Sequence, residues 1–441
     1  MKITSKAGKQ TRSINEYSWD KAMYKFAHLA DCHIGANREP VLQELELKAF
    51  KEAIDYCIEE KVDFVLIAGD LFHSNIPDMR VTNEAVRKMR ELKEENIPIY
   101  VIYGSHDYSP NETSIIDILD SAGLITKIVK GKIVKNKLKL EVFKDPKTDA
   151  KLVGISARKL GLEKSYFEIL DREILEKETG FKIFAFHSAV SEVKPGFLTR
   201  MESMPASYLP KGFDYYAGGH VHQHMEGEIP EYKYIVYPGP LFAGYARDLE
   251  DTAKGEERGF YTVSFDGKGV REVKFHRIKV CDSVYHEFDV SNKNSLQAKE
   301  RIMEELDKLD VKGKVVVLRI AGELSGGKTS DISMSEIRTL LTDKGAVFVS
   351  INRYGLTSKE YAAIKAVGED VQTIERRLFQ ENIGTVKVEN SKLKGEGGVK
   401  LAEELLRTLK QEQKLNETKK DYTERIVNQA IHNMGLEEEL E

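Results

Sequence analysis

Five times between Asp31 and His222, an apolar run with strand character stops, and within three residues an aspartate or histidine follows. The runs at 64–68 (FVLIA) and 97–103 (IPIYVIY) are apolar almost throughout rather than alternating, so the strands they predict are covered on both faces. Between them lie helical spacings: Leu42, Leu45, Ala49, Phe50, Ala53, Ile54 and Cys57 over 41–60, then Val81, Ala85, Val86, Met89 and Leu92 over 81–95. Buried strands alternating with amphipathic helices restrict the chain to a layered α/β architecture. In such folds, loops at the strand C-termini are held on a rigid base yet stay exposed, so sites are built there.

The residues at these strand ends are Asp31 and His33, Asp70 with His73, His106 and Asp107 after Gly104-Ser105, His187, and His220 with His222. Two divalent cations held about 3.5–4 Å apart need a bridging carboxylate. Asp70, preceded by Gly69 for close backbone approach, suits that role. Asp31 and His33 stand two apart on an extended loop, so both can face one ion; His220 and His222 share that spacing but can be split between two. Carboxylate mixed with imidazole suits manganese, iron or zinc better than calcium. One such pair alone is usually a surface coincidence, but five in series after strands are not. His28 is expected to face the core and His224 solvent, while His276, His286 and His432 have no companions.

At 441 residues two or three domains are expected. The formal charge of −5 does not mark a polyanion binder, although a local basic face or bound cations would suffice for phosphate. Cys32, Cys57 and Cys281 are too scattered for a disulfide framework, which fits a reducing cytoplasm. No apolar stretch approaches ~18 residues, so no membrane span is expected, and the first residues lack the apolar core of a secretory signal. Residues 1–24 form a basic arm, either a mobile terminus or a contact for DNA. The first folded domain is expected over 25–278 and a small α/β unit over 279–355. A helix and Lys/Gly-rich linker over 356–398 then lead to an amphipathic helical pair over 399–441.

The order Asp31-Cys-His33, Gly69-Asp70, Gly104-Ser-His106-Asp107, His187 and Gly219-His220-Val-His222 resembles the signature of calcineurin-like metallophosphoesterases. Within them, LADCHIG, AGDLFHS and the following α/β unit look like the meiotic-recombination-eleven/SbcD nucleases of DNA double-strand-break repair. The resemblance implies a β-sandwich flanked by helices, a DNA-capping domain at 279–355, and a C-terminal helical pair that binds an SMC-like ATPase. It implies two manganese ions per chain, the first on Asp31, His33, Asp70 and His222, the second on Asp70, Ser105, His187 and His220. His106 matches the histidine that assists the leaving oxygen, and His73 a second phosphate-site histidine. A nucleoid-associated cytoplasmic homodimer is implied, meeting through helices near 81–95 and 113–121, that cuts duplex ends exonucleolytically and single strands endonucleolytically. Where the family carries asparagine this chain has Ser105, which opens the alternative of a weakened scaffold for DNA ends. A phosphatase or phosphodiesterase of the same superfamily is the other alternative. Arg158, Lys159 and Arg200 are candidate DNA contacts.

Overall fold

In the computed structural model, strand β1 (Tyr24–Leu29) runs parallel to β2 (Phe64–Ala68), β2 to β3 (Ile99–Ile102), and β3 to the short β4 (Thr126–Lys127). The strand Gly259–Asp266 pairs antiparallel with β1, and Gly269–Arg277 closes that edge, giving six strands. A second six-stranded sheet is centred on the parallel strands Lys151–Ile155, Lys182–His187, Tyr215–Gly219 and Tyr232–Tyr237. Described residues are 23–107, 113–158, 162–198, 201–359, 375–376, 378–380, 383, 395–414, 417 and 419–434. The basic arm up to residue 22, Lys159, Arg200 and most of 356–398 lie outside them.

Alternation along each strand explains the layers. Phe26, Phe64, Leu66, Tyr100 and Ile102 of the first sheet pack against Leu152, Ile183, Ala185, Tyr215 and Val236 of the second, so the two inner faces make one dry core. Ala27, Leu29, Val65, Ile67 and Val101 point the other way. They are covered by Ala49, Phe50, Ala53 and Ile54 of helix α1 (Pro40–Glu59), and by Val81, Ala85, Met89 and Leu92 of α2 (Met79–Glu94). The fold is the helix-flanked β-sandwich that the sequence resemblance implies.

His28 sits on the inner face of β1, fully buried, with its Nδ1 3.0 Å from the Tyr215 hydroxyl. Burial pushes its pKa down to about 3. The folded protein therefore keeps His28 neutral while the unfolded chain protonates it near pH 6.5. Stability from this residue is present above pH 6.5 and is lost as pH falls toward 3, at about 1.4 kcal/mol per pH unit. The variant His28→Gln is expected to be the less stable protein at pH 7 but to lose stability more slowly in acid. Urea unfolding between pH 7 and 4 should show the gap narrowing; a constant gap would contradict it.

Val315 and Val317 of the strand Lys314–Leu324 share a cluster with Leu42, Ala243 and Leu249. Arg319 and Asn352 both reach Glu250, each at 3.3 Å. Packing is therefore continuous past residue 278. The strand Lys314–Leu324 pairs in parallel with Phe348–Asn352 and with Leu356–Ser358. In the C-terminal region the helices Gly395–Leu409 and Lys419–Met434 pack on each other, with Tyr422 donating to the Gln411 carbonyl at 2.8 Å and Asn433 to the Thr408 hydroxyl at 3.0 Å. The first of them begins four residues earlier than its apolar spacing suggests. Gly398 and Val399 are buried there, so packing overrides the poor helix propensity of glycine. No helix among the described residues is long and apolar enough to cross a membrane.

Candidate metal centre

The residues after β1 and β2 leave extended geometry abruptly. Asp31 and His33 take φ of 51° and 46°, Asp70 of 51° and His220 of 83°. Such left-handed conformations cost about 1–3 kcal/mol each for residues with a Cβ and persist where the surroundings over-determine them. Two glycines let the loops approach. A Cβ on Gly104 would collide with the Asp70 carboxylate, and one on Gly69, itself at φ 88°, with the His187 ring. The loops are tied together by buried Asp107, whose carboxylate accepts from the backbone N–H of Leu71, Phe72 and Gly104 at 3.0–3.1 Å. Asp107 thus holds the frame, its pKa pushed up to about 7 by burial.

The structure brings together Asp31, Asp70 and His187 in one group and Asp31, His33 and His222 in another, with potential ligand atoms within 4.8 Å of one another in each. His187 Nε2 lies 3.2 Å from Asp70 Oδ2 and 3.8 Å from Asp31 Oδ1. His33 Nε2 lies 3.7 Å from Asp70 Oδ2, and His222 Nε2 3.9 Å from Asp31 Oδ1. All but His222 are almost completely buried. Ser105 Oγ stands 3.5 Å from Asp70 Oδ2, so the serine is at the site although its hydroxyl is short. His220 is placed less directly. Its backbone N–H donates to both Asp31 carboxylate oxygens at 3.0 Å, and its ring centre lies 5.4 Å from that of His187, but its side chain joins neither group.

Proton placement explains why these groups fit a cation. His187 donates Nδ1–H to the Ala68 carbonyl at 2.8 Å and His222 donates Nδ1–H to Asp248 at 3.0 Å, so both turn Nε2 inward as the nitrogen available to an ion. His33 Nε2 and His222 Nε2 face each other at 3.2 Å. Burial raises Asp31 to about 6, while at His187 the opposing pull of the Asp70 and Asp31 carboxylates outweighs burial and lifts the imidazole to about 10. Protonated His187 carries the positive charge that the two buried carboxylates call for, and a divalent cation would displace that proton and take the Nε2 lone pair; no lysine or arginine among the described residues forms an ion pair with either carboxylate. Divalent cations satisfy that need, and the donor set is one that manganese, iron or zinc accepts.

Beside this group, His33, His73 and His106 form a third cluster. His106 donates Nδ1–H to the His73 carbonyl at 2.8 Å, and its Nε2 accepts from the Tyr245 hydroxyl at 2.8 Å. Tyr245 and Asp248 are functional residues that strand-end reasoning passed over. They belong to the start of the helix Ala246–Ala253, where Asp248 accepts from the backbone N–H of Gly244 and Tyr245. The readable signal was an acid three residues into a helix start. His224 is a correction. It is half-buried rather than solvent-facing, because it pairs with Glu256 at 3.2 Å and stacks on Phe275 at 4.3 Å. Arg158 is described, and its guanidinium lies over the Tyr166 ring at 4.5 Å, lining a separate cavity.

A sandwich with strand-end loops converging on paired buried carboxylates is a calcineurin-like metallophosphoesterase, and the profile of calcineurin-like phosphoesterases matches residues 24–224. The chain is 30% identical over 337 residues to the DNA double-strand break repair protein Mre11 of Thermoplasma acidophilum, covering 70% of this chain and 83% of that protein. It is 28% identical to the proteins of that name from Archaeoglobus fulgidus and Methanococcus maripaludis, covering 71% and 67% of this chain and 72% and 76% of theirs. The chain belongs to the Mre11 family. It is a metal-dependent phosphodiesterase.

Proposed function

We propose that the chain is a manganese-dependent DNA nuclease of double-strand-break repair, exonucleolytic on duplex ends and endonucleolytic on single strands. One observation carries the reading: Asp70, His187, His33 and His222 converge within a few ångström around the Asp31 carboxylate, and no arginine or lysine among the described residues forms an ion pair with Asp31 or Asp70. Asp31, His33, Asp70 and His222 would hold one ion; Asp70, Ser105, His187 and His220 the other. Bound divalent cations acidify water and neutralise charge on phosphate oxygens. Asp248 keeps His222 in the ligating tautomer. His106 presents Nε2 towards the same cavity and serves the leaving oxygen as acid or electrostatic stabiliser, with His73 stacked beside it at 4.7 Å.

The partners follow the same reading. Ile76, Met79 and Ile118, at the start of α2 and on α3 (Ile115–Ser121), are exposed, which supports a homodimer through that face. Leu409 and Val427 of the C-terminal helices are also exposed, which supports docking of an SMC-like ATPase on the 399–441 pair. The 279–355 region would cap the DNA, and the protein would work in the cytoplasm on the nucleoid.

The test is incubation of purified chain with labelled duplex DNA, labelled single strands and bis(4-nitrophenyl) phosphate, with manganese or with chelator. Manganese-dependent DNA degradation is expected. Ester hydrolysis without DNA cleavage would replace the reading with a small-substrate phosphodiesterase. Binding without turnover would favour the second reading that Ser105 motivates, a weakened end-binding scaffold. The variant Ser105→Asn reaches one bond further with a neutral carbonyl oxygen. It is expected to tighten manganese binding about tenfold, by analogy with other changes in how a ligand is presented, and to raise the rate. Unchanged titration and kinetics would mean that Ser105 is already a competent ligand.

A further inference from the structure

The metal groups are only part of the lining of a cavity of about 290 Å³. The same cavity is lined by chemically different groups: Leu198 and Met201, the amide of Gln223, the ring of Tyr245 and the guanidinium of Arg247. Hydrolysing a phosphodiester requires none of the first three. Gln223 is the informative member. Its Oε1 is shut off from solvent and accepts no hydrogen bond from any described residue. A polar group held out of solvent without a partner is rare in a folded protein, and at the edge of a substrate cavity it points to a ligand that supplies the partner. Arg247 is mostly exposed and, among the described residues, pairs only with Asp251 at 3.6 Å, which leaves its fork available to an anion.

From this juxtaposition we infer that Gln223, Leu198 and Met201 form a nucleobase subsite, which seats the base of the nucleotide adjoining the scissile phosphate. The inference rests on the nuclease reading and adds a specificity residue to it. Leu198 and Met201 supply an apolar ledge for the face of the base. The amide of Gln223 offers a donor and an acceptor side by side, the pattern that pairs with N6 and N7 of adenine. Arg247 takes the next phosphate along the strand. Because the base must present both an edge and a face to protein, it has to leave its stack first.

The experiment uses the full chain with manganese, under single-turnover conditions, on labelled oligonucleotides that differ at one position. Adenosine, thymidine or an abasic residue is placed on the 5′ or on the 3′ side of the labelled bond. For one of the two sides, the wild-type protein is expected to cleave the adenosine substrate about tenfold faster than the abasic one. In Gln223→Leu the two rates should come within about twofold of each other. Gln223→Glu keeps the length but removes the donor, and should lose the preference for adenosine over thymidine while still discriminating against the abasic residue through the ledge. Equal wild-type rates on adenosine and abasic substrates on both sides would overturn the subsite and leave the nuclease reading intact. A Gln223→Leu protein that kept the tenfold ratio would overturn it too. Should the wild-type protein cleave no DNA at all, the nuclease reading falls and the subsite with it. If Gln223→Leu fails to fold, the wild-type comparison and Gln223→Glu still decide.

Discussion

Asp70→Asn is expected to abolish manganese-dependent hydrolysis, lowering the rate by at least about 10³-fold, beyond the 10–100-fold typical of losing an outer partner of a ligand. The reason is geometric. Asp70 Oδ2 lies 3.2 Å from His187 Nε2 and 3.7 Å from His33 Nε2, so this carboxylate, like that of Asp31 at 3.8 Å from His187 and 3.9 Å from His222, reaches proposed ligands of both ions. Its Oδ1 is already committed to the His106 N–H at 2.8 Å, which fixes the plane of the carboxylate. An amide of the same shape can keep that hydrogen bond through its oxygen but brings no negative charge. Loss of metal binding is separable from loss of fold. Manganese at 100 times its dissociation constant stabilises a protein by about 2.7 kcal/mol. The wild-type melting temperature should therefore rise on adding manganese, while that of Asp70→Asn should stay where it was. A variant that still gained stability from manganese and kept more than a tenth of the rate would show that Asp70 is not the shared ligand.

Much of this centre could be read from the chain because its parts are local. A buried strand is a run of five or six apolar residues, and the residue that follows it is fixed by the same short window. Asp31, Asp70 and His187 each sit directly at such an end. The helices α1 and α2 were legible for the same reason, since their buried positions repeat every three or four residues. What could not be read is what the chain brings in from elsewhere. Tyr245 and Asp248 follow a loop rather than a strand, and their roles exist only because Asp248 lies 3.0 Å from the ring of His222 and Tyr245 2.8 Å from His106. His220 shows a different limit. Its two-residue spacing from His222 left open whether the two share an ion or are split between two, and a left-handed backbone at φ 83° turns its N–H on Asp31 while its ring lies beside that of His187. Spacing constrains side-chain direction only where the backbone is regular, and this site is built where regularity stops.

His106→Asn is expected to lower the rate on DNA by about 10²–10³-fold, the range of a positioned general acid. The size of the effect should depend on the leaving group. A deoxyribose oxygen leaves as a strong base and needs a proton, whereas 4-nitrophenolate needs little help. On bis(4-nitrophenyl) phosphate the same variant should lose far less than on DNA. The tautomer supports this assignment: Nδ1–H is held by the His73 carbonyl, so Nε2 is the nitrogen left to exchange a proton in the cavity. In the protein as it stands that nitrogen accepts from the Tyr245 hydroxyl, itself raised to about 12 chiefly by burial and so a protonated donor at neutral pH. Tyr245 thus positions His106 and must share it with substrate. Removing the hydroxyl in Tyr245→Phe should cost only about fivefold, as one hydrogen bond is worth roughly 1 kcal/mol. Residues acting through one atom are not additive, so Tyr245→Phe should cost nothing further once His106 is asparagine. Equal losses on DNA and on the nitrophenyl ester would remove His106 from leaving-group chemistry and return it to holding phosphate. Additive losses in the double variant would mean that Tyr245 contacts substrate on its own account.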